Sequence, residues 1–254
     1  MSRREEMLRE MGLTPVWRLR ETAAQPEVPA TVVAPVAETV AASAAPAREP
    51  SPAANERGAA IMSMDWAALK ARVAGCVDCK LHEQRNRTVF GVGDEKAEWL
   101  FVGEGPGADE DQQGEPFVGQ AGKLLDNMLA AIRLKRGDNV YIANIVKCRP
   151  PGNRTPAADE ARQCEPYLKR QIELIRPRLI VALGKTAAVN LIGRDASIAS
   201  LRGKVHDYMG IPLIVTYHPA YLLRTLPDKA KAWVDLRFAV DTMQGLQTQA
   251  RAPT

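Results

Sequence analysis

The stretch Trp99-Leu100-Phe101-Val102-Gly103-Glu104-Gly105-Pro106-Gly107 sets the fold. Four large apolar side chains in succession suit a strand buried on both faces, and alternate glycines then turn the chain into a loop. Apolar runs of the same kind recur at Val140-Tyr141-Ile142-Ala143, Leu179-Ile180-Val181-Ala182-Leu183 and Leu213-Ile214-Val215-Thr216. Amphipathic segments separate them. Helices are expected from about Ala121 to Leu134, from about Ala157 to Ile175, briefly after Lys185, and from about Asp228 to Met243. Strand and helix alternating in this way predict an α/β fold, a parallel sheet covered by helices on both faces.

Ligands of such sheets collect beyond the carboxyl ends of the strands, so the segments to inspect are Gly103–Gly107, Asn144–Pro156, the turn at Gly184 and Tyr217–Arg224. Alternate glycines in the first loop let bare amides approach a ligand, although a Gly/Pro-rich turn by itself is more often only a turn. The dinucleotide pattern G-x-G-x-x-G is absent. Gly184-Lys185-Thr186 is not a phosphate loop either, because the position five residues earlier is Leu179 inside a strand; it reads as a tight strand-to-helix turn. The acidic run Ala108-Asp109-Glu110-Asp111 leads to Pro116-Phe117-Val118-Gly119, where Phe117 is either core or a stacking platform. Asn144 directly follows a strand, and its amide both donates and accepts, as reading a pyrimidine edge requires; turn formation is the plainer alternative. His218 sits at a strand end before Pro219, where doubly wound sheets place their chemistry, whereas His82 and His206 have no comparable position.

The 254-residue chain is 46% hydrophobic with a formal charge of +4, ordinary for a globular protein and permissive of a phosphate-bearing partner. No run approaches the length of a membrane span, and charged residues follow Met1 where a signal peptide would be apolar, which points to a cytoplasmic protein. The four cysteines, Cys76-x2-Cys79 and Cys148-x15-Cys164, have the pairing of metal ligands rather than of disulfides. Spacing does not separate zinc from an iron-sulfur cluster. Lys147, Arg149, Arg154 and Arg224 crowd the candidate loops and suggest contact with phosphate. Residues 1–21, with Met7, Leu8, Met11, Leu13 and Trp17 among charges, form either a frayed tail or a short amphipathic docking helix, and 22–62 read as a disordered Ala/Pro-rich linker. The folded domain is expected over 63–246, with a disordered tail at 247–254.

Together, Gly103-Glu104-Gly105-Pro106-Gly107, Pro116-Phe117-Val118-Gly119, Asn144-Ile145-Val146-Lys147-Cys148-Arg149-Pro150-Pro151 and His218-Pro219-Ala220-Tyr221-Leu222-Leu223-Arg224 resemble the family-four uracil-DNA glycosylases. The resemblance spans about residues 64–245. It implies a three-layer α/β/α fold with a four-stranded parallel sheet, and a 4Fe-4S cluster on Cys76, Cys79, Cys148 and Cys164. It also implies that Phe117 stacks on an extruded uracil, that Asn144 pairs with the O4 and N3 edge, and that His218 hydrogen-bonds O2. Backbone at Gly103, Glu104 and Gly105 would complete the pocket. Glu104 would position the attacking water, and Glu110 would exclude the thymine methyl. Leu222 and Leu223 would fill the space left by the flipped nucleotide, with Arg224 and Arg154 on phosphate. A related group binds uracil-DNA covalently through a His in an inserted basic loop; here Pro151-Gly152-Asn153-Arg154-Thr155 has neither, which favours turnover.

The expected protein is thus a monomeric, monofunctional uracil-DNA glycosylase acting on single- or double-stranded DNA, with its N-terminal segment as a docking site for a replication or repair protein. The competing reading is a non-catalytic iron-sulfur protein that binds nucleic acid or accompanies a DNA polymerase. It would bind without discriminating uracil from thymine. An electron carrier is a third reading, and it would need a cluster exposed to its partners.

Overall fold

The computed structural model describes residues 52–251. The helix expected at 1–21 and the greater part of the expected linker, 22–51, lie outside them.

Six strands form one sheet in the order β1-β3-β2-β4-β6-β5. They are β1 Val92–Gly93, β2 Trp99–Gly103, β3 Val140–Asn144, β4 Leu179–Leu183, β5 Val205–Tyr208 and β6 Ile211–Thr216. The four inner strands run parallel, as the apolar runs predict. The sheet is nevertheless mixed, since β1 and β5 add antiparallel edges. Neither edge carries a strong sequence signal. β1 is two residues long, and β5 is half-buried at best. The hairpin joining β5 to β6 turns on Met209 and Gly210, with φ of 54° and 82°. That backbone suits a two-residue hairpin turn, but Met in the first position hides it from a reader expecting Asn-Gly.

Side chains alternate between two cores. Leu100, Val102, Tyr141, Ala143, Ile180 and Ala182 face one side, under Tyr167, Leu168 and Ile172 of helix α5 (Ala158–Ile175). Trp99, Phe101, Ile142, Val181 and Ile214 face the other, under Leu125 and Leu129 of α4 (Gln120–Ala131) and Ala239 and Met243 of α9 (Lys229–Arg251). The remaining helices are α1 (Pro52–Met62), α2 (Trp66–Ala74), α3 (Ala108–Gln113), α6 (Lys185–Ile192), α7 (Ile198–Leu201) and α8 (Pro219–Arg224). Gly184 has φ of 92° and opens α6, as expected of a tight strand-to-helix turn. No helix among the described residues is long and apolar enough to cross a membrane.

Both ends of the ordered domain extend beyond the expected boundaries. Residues 52–62, assigned from composition to the linker, are helix α1. Its Ile61 is 1% exposed. Arg57 donates to Asp78 at 2.9 Å and to the Gln163 carbonyl at 2.7 Å. One ion pair and one buried apolar side chain decide the matter, and bulk composition does not see them. At the other end α9 runs through Arg251, and Gln247 donates to Glu98 at 3.1 Å, so the expected tail begins several residues too early.

Replacing Arg57 by Ala should lower unfolding free energy by about 1–2 kcal/mol, since the Asp78 carboxylate keeps other donors but α1 loses its anchor. Urea denaturation of the full chain measures this; an unchanged midpoint would show that α1 is not anchored by Arg57.

Candidate active site

The carboxyl ends of β2, β3 and β6 meet at a cleft of about 510 Å³, walled by Glu104, Gly105, Glu110, Phe117, Asn144, His218 and Arg224 among others. Strand register sets this up. Gly103 lies opposite Asn144 in the parallel β2–β3 pairing. The ladder then continues past the strands, with the Ile145 amide donating to Gly103 at 2.9 Å and the Val146 amide to Glu104 at 3.3 Å. The loops are therefore fixed relative to each other, which loops usually are not.

Asn144 is 2% exposed. Its side-chain Oδ1 has no hydrogen-bond partner among the described residues. Leaving a buried acceptor unpaired costs about 1–3 kcal/mol, so this atom awaits a donor. Gly103 is not part of the cleft wall, contrary to expectation, but sits behind it. A Cβ there would come within 2.5 Å of Asn144 Oδ1 and 2.6 Å of the Phe117 ring, so only glycine lets these two side chains lie so close to the strand. Phe117 is 6% exposed, and its ring centroid is 5.6 Å from that of His218 at an interplanar angle of 32°.

His218 caps α8, its Nδ1 accepting from the Ala220 amide at 3.2 Å. An accepting Nδ1 leaves the proton on Nε2, so the neutral ring presents an N–H donor. Burial pushes its pKa down from the ordinary 6.5 to about 4; the Arg224 cation adds to this and Glu110 opposes it. The two acidic residues of the cleft differ in how they are held. Glu110 accepts from the Gly107, Val118 and Gly119 amides at 2.9–3.0 Å. The half-buried Glu104 carboxylate has no protein hydrogen bond among the described residues.

The residues expected to face DNA are placed differently from that expectation. Leu222, expected to enter DNA, is 1% exposed and packs with Met128, Tyr217, Ala232 and Leu236 in a small core. Helix α8 turns its apolar side inward, leaving Leu223 outside at 41% exposure. Leu226, which motif reading did not select, is 61% exposed nearby. Arg154 reaches the cleft rim but is paired bidentately with Glu160 at 2.7 and 2.8 Å, while Arg224 lines the cleft with no such partner among the described residues. Lys147 does not face phosphate at all. It is 1% exposed and donates to the Asn144 carbonyl at 3.0 Å. Burial lowers its pKa to about 8, against the opposing pull of Cys164 and Cys148.

All four cysteines line one second, smaller pocket, with Asp78, Arg85, Lys147 and Tyr167 around them. They are not disulfide-bonded. Among the described residues no three His, Cys, Asp or Glu side chains converge on a single metal-ion position. The chemistry of the set nevertheless suits a thiolate-bound group. Arg85 donates to Cys148 Sγ at 3.1 Å and the Lys147 amide to Cys164 Sγ at 3.3 Å, donors of the kind that stabilise metal-bound sulfur. Burial pushes the Cys164 thiol up to about 12, with Lys147 opposing, and raises Cys79 and Cys148 as well. Such thiols are inert until a metal displaces their protons.

An open α/β sheet with a polar cleft at its strand ends and a cysteine pocket behind it describes a class, and known proteins narrow it. Residues 90–237 match the family model of the uracil DNA glycosylase superfamily. The Type-4 uracil-DNA glycosylase of Archaeoglobus fulgidus is 50% identical over 159 residues, covering 59% of this chain and 79% of that protein. Those of Thermotoga maritima and Pyrobaculum aerophilum are 48% and 44% identical, each over 63% of this chain and over 84% and 86% of their own lengths. The chain belongs to the uracil DNA glycosylase superfamily and, within it, to the Type-4 group.

Because the folded His218 binds its proton less readily than the ordinary side chain, protonation is disfavoured from about pH 6.5 down to about 4, and stability falls through that window as the pH drops. Imidazole NMR shifts should show a neutral ring with the proton on Nε2 above about pH 5. Titration near 6.5 would refute the buried, neutral assignment.

Proposed function

We propose that this chain removes uracil from DNA by hydrolysing the N-glycosidic bond, leaving an abasic site. The observation that carries the proposal is the unpartnered Asn144 Oδ1, buried beside an aromatic face and a neutral histidine. An extruded uracil supplies what each lacks. Its N3–H donates to Oδ1, its O4 accepts from the Asn144 amide nitrogen, its ring stacks on Phe117, and its O2 accepts from His218 Nε2–H.

As the C1′–N1 bond breaks, the electron pair passes to the base, and His218 stabilises the developing anion without giving up a proton, since a donor aimed at growing charge in a dry site is worth most there. Water adds to C1′. Glu104, the carboxylate left free, orients that water and takes its proton. Glu110 is rigid under its three backbone donors and walls the side of the pocket that the thymine methyl would enter. Cytosine fails because its N3 carries no proton for Oδ1 and its amine opposes the Asn144 donor, which leaves buried groups unpaired. Leu223 takes the space of the flipped nucleotide and Arg224 contacts phosphate, with unstacking energy recovered in the pocket. Cys76, Cys79, Cys148 and Cys164 would hold a 4Fe-4S cluster, whose contribution is to brace the loop leading from Asn144. A cytoplasmic, thiol-reducing setting and a monomeric enzyme belong to the same proposal.

The direct test is an oligonucleotide with one uracil, scored for alkali-sensitive strand breaks beside a thymine control. Cleavage at uracil alone is expected; an intact strand from folded protein would favour a non-catalytic binder. His218→Ala should slow single-turnover cleavage by about 10²–10³-fold, the cost of losing one transition-state donor. Near-normal rates would remove His218 from the mechanism. Cys148→Ala should abolish iron-dependent absorbance and lower the melting temperature, and retention of both would exclude Cys148 as a ligand.

A further inference from the structure

The turn that carries Phe117 is held by charged side chains on both sides. Phe117 has φ of 56°, in the left-handed region that a bulky aromatic residue rarely adopts. Before it, the Arg136 guanidinium donates to the Pro116 and Phe117 carbonyls, each at 2.8 Å. After it, Glu110 accepts from the Val118 and Gly119 amides. The turn also presses on α4 at Gly122, where any side chain would collide with the Phe117 carbonyl. Arg136 itself comes from the loop between α4 and β3, twenty residues from Pro116, and is fixed by Asp126 at 2.9 Å. It does not line the cleft.

We infer that Arg136 is a positioning residue for uracil excision: its two-pronged hold on the Pro116 and Phe117 carbonyls keeps Phe117 in the left-handed turn that aims the ring across the cleft. The chemistry requires an arginine. A planar guanidinium satisfies two carbonyls and a carboxylate at once, whereas a lysine ammonium is a point charge that cannot reproduce that fork. Without it the two carbonyls need new donors, the backbone is free to relax towards negative φ, and the ring swings off its line with His218. A residue that only tied α4 to the loop would affect stability and leave the platform intact. The inference rests on Phe117 being the stacking surface proposed above.

A double-mutant cycle separates these cases. Single-turnover cleavage and inhibition by free uracil would be measured for the wild type, Arg136→Ala, Arg136→Lys, Phe117→Ala and the Arg136→Ala/Phe117→Ala pair, with melting temperatures alongside. Arg136→Ala should slow cleavage roughly 10- to 100-fold, the scale of a misplaced binding group, and weaken uracil inhibition in parallel. Arg136→Lys should recover little, and the pair should be no slower than Phe117→Ala alone. Additive losses, full rescue by lysine, or unchanged uracil inhibition would overturn the inference. If the alanine variant does not fold, Arg136→Lys decides, because it keeps the charge beside Asp126: wild-type cleavage would then refute the inference. Normal cleavage by Phe117→Ala would instead remove the stacking role itself, while an impaired Phe117→Ala beside normal Arg136 variants removes only the role of Arg136.

Discussion

Gly103 and Asn144 face each other at the last step of a parallel ladder, and the site depends on that pairing. Because the amides of Ile145 and Val146 keep bonding to the Gly103 and Glu104 carbonyls, the two loops leave the sheet as a unit. Asn144 is then held through its backbone, and its side-chain oxygen has no partner among the described residues. Three residues on, Lys147 returns to donate to the Asn144 carbonyl, and its own carbonyl accepts from the Val89 amide at 2.7 Å. Cys148 follows at once in the cysteine pocket. One five-residue segment thus belongs to both the cleft and the pocket, and whatever rigidifies the cysteines also rigidifies Asn144.

The cleft assigns roles to similar groups by their surroundings. Two glutamates line it, but one is saturated by three backbone amides and the other has no protein hydrogen bond among the described residues. A saturated carboxylate is a fixed wall, and a free one can orient water. Two arginines reach the same region, but Arg154 is paired with Glu160, whereas Arg224 has no such partner among the described residues. The Arg224 cation also helps to keep His218 neutral. Because Nδ1 accepts from the Ala220 amide, the proton of the neutral ring lies on Nε2, and the ring presents an uncharged N–H donor.

The parallel core was legible because fully buried strands are continuous apolar runs, and β2, β3, β4 and β6 fall on them. The edges were not, since two residues at β1 and a Met-Gly turn after β5 leave little pattern. Asn144, Phe117 and His218 could be picked out because each is a chemically odd residue at a strand end or between turn formers. Burial was the harder inference. Leu222 and Leu223 are indistinguishable as letters, and only the rotation of α8 about its axis, set by its packing on Met128 and Leu236, sends one inside. Lys147 looked like a phosphate contact for the same reason: a lysine in a basic loop is normally solvated, and nothing local announces a carbonyl and two thiols beneath it. Arg57 and Arg136 act over more than twenty residues or onto bare carbonyls, where no periodicity points.

Departures from local preference can be sorted by whether local structure accounts for them. Among the described non-glycine residues with positive φ, Arg133 and Arg176 end α4 and α5 and Met209 forms a hairpin turn, positions where the left-handed region is part of the element itself. Asn139 and Asn153 are of the residue type that tolerates it best. Phe117 has no such excuse. It is bulky, lies between elements and needs an arginine, a glutamate and a neighbouring glycine to stay where it is. Strain maintained by that many separate contacts is what a site under functional constraint looks like, and the contacts converge on the ring that faces His218 across the cleft.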